Sequence, residues 1–451
     1  MKALDREILR LAIPSILANI TVPLVGMVDL AIAGHLHDGG LPAAFIGAVS
    51  VGGLLFSVLY WNFGFLRAGT GGLTAQAFGR ARAGASMRET GVLLVRSLVL
   101  ALGISLILII LQWPFVKLGL MVIGGSPEVS ALAERYFFIR IWASPATLSL
   151  MVFRGWFIGM QDTRSSMWVD LIVNVVNIGA SLLLAFPLGM GFTGIALGTV
   201  IAQYSGLAFA VAVILARYRH LVKGLRLAEC TGVSREFFRM NRNLFLRSLS
   251  FMGIYFGFSA ITARYGDTAL AVGSLLMNLL MLFSYFTDGF AYAGEALTGR
   301  YIGEGLRDMV VKTVRHVFVW SMGVALAWVF IYLFAGGPLV DLMTDDSAVR
   351  VAARPFLWWL VLMPPLGCAA FTWDGIYTGA TATAAMRDAM FLAVAAFFSV
   401  WFAGRYLLGL DPALGGQVVS TVLNLILAAY FAHLLVRTVW LSARYRRDVL
   451  R

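Results

Sequence analysis

Asp29 is the first residue whose type and place ask for a chemical explanation. It sits in the apolar run Val25–Ala33 with no basic residue close by in sequence. An acidic side chain near the centre of a bilayer costs about 2.5–3.5 kcal/mol on insertion scales, so one kept there needs a reason. Burial penalises the charged form, and a carboxylate so placed can take up and release a proton as its surroundings change. The competing reading ends the helix early and leaves Asp29 wet at the external interface.

Further along, Asp170, Asn174, Asn177 and Ser181 follow at intervals of four, three and four, and Thr199 and Gln203 are four apart. Such intervals place side chains on one helical face. Turned inward, these amides and hydroxyls can hydrogen-bond the Asp29 carboxylate or coordinate a small cation. They serve equally as glue between helices, at about 0.6 kcal/mol a contact. In the second half Tyr285, Asp288, Tyr292 and Glu295 share a face, and Asp374 with Thr378 forms a further pair four apart. Acids beside aromatic rings suit an organic cation, held by charge and cation–π contact. The other reading ties these acids to Arg67, Arg96 or Arg154 as structural ion pairs.

Other motifs carry less. Gly189, Gly191 and Gly194 match G-x-G-x-x-G, but no strand precedes them and they fall in a hairpin between two apolar runs, so nucleotide binding is discounted. The chain contains no Gly-Lys dipeptide, no H-E-x-x-H and no G-x-S-x-G. A Walker A loop is thereby excluded, and neither a metalloprotease nor an elbow-type hydrolase has support. Cys230 and Cys368 show no ligand spacing and read as filler without a disulfide. No enzyme activity and no cofactor are expected.

The elements that must position these residues follow from composition. Hydrophobic residues make up 60% of the 451 and charged residues 13%, against roughly 25% charged in a soluble domain. Runs such as Val92–Trp113, Ile195–Ala216 and Val418–Val436 each approach the ~20 residues that cross a bilayer core as a helix. Barrel strands would instead alternate in short segments. The pattern predicts an all-α membrane protein with helices at 8–34, 44–78, 90–118, 129–160, 166–186, 192–217, 243–265, 269–302, 313–336, 349–379, 387–407 and 414–437. The long polar break divides them into lobes 1–217 and 243–451 joined by a basic loop, 218–242. Prolines Pro14, Pro23, Pro145, Pro364 and Pro365 lie inside these helices as candidate bend points.

The net charge of +12 collects in alternate connections: Arg80, Arg82 and Arg88; Arg217 to Arg242; and Arg444 to Arg451. The positive-inside rule makes these segments and both termini cytoplasmic and removes any need for a nucleic-acid partner. Leu73-Thr74 and Gly79 have counterparts in Leu297-Thr298 and Gly303, as do Gly155 and Gly159 in Gly375 and Gly379. This suggests a parallel internal repeat about an axis along the membrane normal. The start lacks a signal-peptide cleavage pattern and reads as an uncleaved first span.

With these residues in view, the chain resembles the multidrug and toxic compound extrusion (MATE) family, in its DinF branch. The likeness is carried by Leu11–Pro14, Asn19–Leu24, Val28-Asp29 and Gly34–Leu36 in the first helix, and by Phe65–Arg67 and Gly72–Gly79 in the second. Asp288–Ala293, Glu295-Ala296, Asp374-Gly375 and Gly379–Thr381 extend it into the second half. The resemblance implies twelve transmembrane helices in two six-helix lobes around a central cavity, and a cation-coupled antiporter that exports small organic, cationic or amphiphilic compounds by alternating access. On it, Asp29 falls on the coupling carboxylate and Pro14 on the bend. Asn177, Ser181 and Thr199 fall on the other polar positions of the cation site, leaving Asn174, Gln203, Tyr285, Asp288, Tyr292, Glu295 and Asp374 as substrate-cavity candidates. Similar members commonly carry aspartate where this chain has Ser181. Less negative charge favours protons over sodium as the coupling ion. The expected setting is a bacterial cytoplasmic membrane, as a monomer, with small-molecule substrates and the lipid bilayer as partners. A flippase for a lipid-linked precursor, a passive channel and a membrane enzyme are the rival readings, the first through a cationic cavity lined by Arg67, Arg96 and Arg154.

Overall fold

A computed structural model of the chain describes residues 2–36, 42–123, 126–226, 235–344, 346–411 and 418–450. All regular structure among the described residues is helical. Among the described residues, twelve helices are long and apolar enough to cross a membrane. In chain order, spans one to six are Ala3–Gly34, Ala44–Arg82, Arg88–Ile110, Pro127–Gly159, Thr163–Ala185 and Gly191–Val222. Spans seven to twelve are Phe237–Ala263, Asp267–Gly303, Arg307–Met343, Ser347–Gly379, Thr383–Leu407 and Val419–Asp448. Large apolar side chains such as Ile110, Phe334 and Val439 remain exposed along them, a pattern that lipid, not water, accommodates. Cys368 is a buried free thiol; Cys230 lies outside the described residues.

The twelve expected stretches are helical, with differences. The third helix, expected over 90–118, ends at Ile110 and a separate helix, Gln112–Ile123, follows it. Helix also runs to Val222 and resumes at Arg235 within the expected loop 218–242. Span two is broken by a 3-10 turn at Asn62–Gly64, where the Asn62 amide takes the Val58 carbonyl at 3.1 Å in competition with the backbone ladder. Span four breaks at Ile141–Ala143, just before Pro145, and span ten at Arg354–Phe356, which contains Pro355. A proline has no N–H for the carbonyl four residues back. Span twelve runs well past 437 to Asp448, so Arg444 and its neighbours are helical rather than a tail. The Arg444–Asp448 pair at 2.9 Å, one turn apart, and cations at a helix C-terminus both favour that extension.

By its internal contacts the chain divides into two compact units, Leu17–Phe238 and Met1–Ile16 with Arg239–Arg451. The division falls within span one, two residues beyond Pro14. The first sixteen residues therefore group with spans seven to twelve, not with the rest of their own helix. The contacts that hold them are specific. Glu7 bonds Arg300 at 2.5 Å and Tyr301 at 3.3 Å, and Asp5 bonds His316 at 2.7 Å and Trp320 at 3.1 Å. Gly289 lies against Ile16 and the Ala12 carbonyl, leaving no room for a side chain.

Each unit closes its core the same way. In the first, Gly155 packs on the Arg67 carbonyl and Gly159 on that of Gly71; in the second, Gly375 packs on the Ala291 carbonyl and Gly379 on that of Glu295. The turn leaving span four places Gln161 at φ 61°, and the turn leaving span ten places Thr381 at φ 54°. Both turns carry the same backbone bonds, Asp162 N–H to Phe157 O at 2.8 Å and Ala382 N–H to Tyr377 O at 3.0 Å. The glycines of the discounted nucleotide motif serve the hairpin between spans five and six. Gly189 and Gly191 take positive φ, and Gly194 touches the Leu184–Ala185 backbone.

Candidate functional site

In the first unit Asp29 is 7% exposed, so the reading that leaves it wet at the interface does not describe this structure. Its Oδ1 has no hydrogen-bond partner. The groups that act on it electrostatically come from span four: Arg140, which forms no ion pair with it, and Tyr136. Tyr136 is fully buried and receives a 3.0 Å bond from Arg140, whose guanidinium also lies 4.8 Å from the Phe56 ring centre. The Tyr136 hydroxyl adjoins Thr199 of span six. Thr199 in turn accepts a 3.1 Å bond from the Asn177 amide of span five. Asn177 Oδ1 and Ser181 Oγ are both buried without a partner. Ser181 is sealed against Gly198, whose missing side chain makes room for the serine hydroxyl. Asn174, higher on the same face, donates to Thr21 of span one at 2.5 Å. Gln203 is half-buried on span six.

The sequence-predicted polar stripe is therefore split. Asn177 and Thr199 join the Asp29 neighbourhood through Tyr136, with Ser181 one turn further along span five, whereas Asp170 pairs with Arg154 of span four at 2.6 Å. Tyr136 and Arg140 were missed by sequence reasoning. Their spacing of four was the available signal, hidden because nothing local says that this face of span four turns toward Asp29.

In the second unit the acids are arranged differently. Glu295 is completely buried; Tyr285, Asp288 and Tyr292 are half-buried on span eight. Asp374 does not pair with Arg67, Arg96 or Arg154. It receives Arg247 of span seven and, at 2.6 Å, Arg437 of span twelve. Arg154 is taken by Asp170, and Arg96 lies 5.9 Å from the Phe237 ring centre. The ion-pair reading of Asp374 thus holds with different partners, drawn from helices 127 and 63 residues away in sequence.

The MatE family model matches residues 14–183 and again 244–407, one copy in each half and together most of the chain. The chain belongs to the MatE family. The double match agrees with the paired glycine contacts and paired turns described above. Among relatives, it is 35% identical over 395 residues to the DNA damage-inducible protein F of Escherichia coli K12, covering 87% of this chain and 84% of that one. A solved MATE structure in the bent conformation superposes with a TM-score of 0.82 at 18% identity, covering 98% of this chain and 95% of the other. One in the straight conformation gives 0.81 at 20%, covering 98% and 96%. These two likenesses show the fold.

As a MATE transporter the chain is a multi-pass membrane protein that moves small organic compounds by secondary transport with alternating access, a non-catalytic activity. Among the described residues no group of three or more His, Cys, Asp or Glu could hold a metal ion.

Proposed function

We propose that this MATE transporter is a proton-coupled antiporter exporting small amphiphilic compounds, with Asp29 as the residue that takes and releases the proton. The observation that carries this reading is the Asp29 carboxylate, buried with Oδ1 unbonded and in no ion pair. Deprotonated and dry, such a group is costly; protonated, it is tolerated. It therefore responds to which side of the membrane wets it. Protons are favoured over sodium because Ser181 brings no second carboxylate, so little negative charge is present to hold a sodium ion.

In the proposed cycle Asp29 is protonated from outside, and its neutral form rearranges the bonding among Tyr136, Asn177 and Thr199. Span one then bends near the buried Pro14, and substrate leaves outward. Deprotonation toward the cytoplasm resets the protein. The clamps at Asp5 and Glu7 support the bend at Pro14, since they fix the segment before it while Asp29 lies beyond it. That solved proteins of this fold are described as bent and straight agrees with two working conformations. By linkage, proton and substrate must each weaken the other's binding. The setting is a bacterial cytoplasmic membrane with both termini cytoplasmic, and the monomer is the working unit, with no nucleic-acid partner.

The acids on spans eight and ten pointed to organic cations; with Asp374 shared by two guanidinium groups, amphiphilic compounds are the better-supported class. The flippase reading loses Arg154, which Asp170 holds. The test is counterflow in proteoliposomes under an imposed pH gradient. Asp29→Asn should abolish proton-driven export while leaving the protein folded, and unchanged transport in that variant rejects the role.

A further inference from the structure

Span twelve buries more unbonded polar atoms than its neighbours explain. Both ring nitrogens of His433, Nε and Nη1 of Arg437, Thr438 Oγ1, Trp440 Nε1 and Tyr445 Oη are buried without a hydrogen-bond partner. His433 and Arg437 are 0% and 1% exposed and stand one helical turn apart on the same face. An arginine stays charged, so orphaned guanidinium N–H groups in a protein interior are expensive unless an acceptor reaches them. Arg437 has spent only Nη2, on the Ala370 carbonyl at 3.1 Å and on Asp374 at 2.6 Å. The Arg247 guanidinium also bonds Asp374 while its own Nε is unbonded. One carboxylate is thus shared by two guanidinium groups that retain donors. Asp288 of span eight acts on Arg437 electrostatically as a second negative charge.

One edge of the cluster is open, while Arg437 and His433 are enclosed behind it, and the cluster has an apolar wall. The side chains of Asp374 and Arg247 are each 21% exposed. The Phe371 ring centre lies 5.7 Å from the Arg437 guanidinium carbon, and the rings of Tyr430 and His433 meet edge to face at 4.5 Å.

We infer that Arg437 and Arg247, with His433 beside them, form a subsite for an oxyanion group carried on an apolar or aromatic body, Asp374 being the internal carboxylate with which that group competes. Guanidinium groups bind carboxylates and phosphates more strongly than neutral donors do, because the bond is charge-assisted and matches their planar fork. The aromatic wall takes the rest of the molecule. This deepens the exporter reading and rests on it: part of what the protein carries would be acidic amphiphiles. An anionic lipid headgroup offers the same chemistry, and the experiment separates the two.

The test measures binding, not transport, so it can fail while Asp29-driven export stands, and the reverse. Full-length protein in phosphatidylcholine nanodiscs is titrated calorimetrically with naphthoate and with naphthylmethylammonium, a matched pair differing in head charge. Naphthoate should bind and the ammonium should not. Arg247→Gln and Arg437→Lys should each weaken naphthoate by about tenfold or more, whereas Asp374→Asn, which removes the internal competitor, should tighten it. Repeating the titration with phosphatidylglycerol in the disc assigns the source: competition marks a headgroup site, and unchanged affinity marks a site for soluble compounds. Equal binding of both probes, or a folded Asp374→Asn protein that binds naphthoate more weakly, overturns the inference.

Discussion

In the unit Leu17–Phe238 a carboxylate, Asp29, is buried with Oδ1 unbonded, and Arg140, which acts on it electrostatically, forms no ion pair with it. In the other unit Asp374 is held by Arg247 and Arg437, and Arg437 is itself almost wholly buried. The two halves share their helix order, their glycine contacts and their turns, yet they treat their acids in opposite ways. A carboxylate outside any ion pair can change charge without breaking one. One clamped by two guanidinium groups cannot, because losing its charge leaves the buried Arg437 and the half-buried Arg247 without their shared carboxylate. The repeat has kept the frame while leaving a carboxylate unpaired in one unit and holding one in a charge cluster in the other.

That contrast can be broken by stability measurements on the purified protein. Arg437→Ala leaves Asp374 with Arg247 alone and removes the bond to the Ala370 carbonyl, and should destabilise the second unit by about 1.5–3 kcal/mol, seen as a drop in thermal unfolding temperature in detergent. Asp29→Asn should cost far less, since no ion pair is lost. Comparable losses from the two substitutions would erase the distinction.

A smaller effect sharpens the comparison at the paired turns. Asp162 caps span five, accepting from the Ser165 N–H at 3.2 Å, the Ser165 hydroxyl at 2.6 Å and Tyr218 at 2.9 Å. At the matching turn Ala382 leaves span eleven uncapped. Asp162→Ala should cost about 1 kcal/mol, and Ala382→Asp should gain about 0.5–1 kcal/mol, by supplying or removing one helix cap. Thermal unfolding of the two variants reads this out; a loss at both positions would show that the turns are not equivalent.

Much of the frame was legible in the sequence because its signals are local. Twelve apolar runs and a carboxylate inside the first of them are visible without any tertiary knowledge. The rest depends on which helix faces which. Nothing in the sequence around Asp374 announces Arg247 or Arg437, whose contribution appears only when spans seven, ten and twelve meet. Tyr136 and Arg140 were hidden for the same reason, as was the grouping of the first sixteen residues with the second unit through Glu7 and Asp5. The breaks in spans two, four and ten follow from Asn62, Pro145 and Pro355, which composition alone does not separate from prolines that a helix absorbs, such as Pro14 and Pro23.

The central claim, that Asp29 is the carboxylate whose proton is traded for substrate, is tested most directly by proton release from purified protein. In a weakly buffered solution near neutral pH, saturating an exported compound should acidify the medium for the wild type and for Asp374→Asn, and Asp29→Asn should be silent while still binding the compound. Proton release persisting in Asp29→Asn, or vanishing in Asp374→Asn alone, would contradict the account.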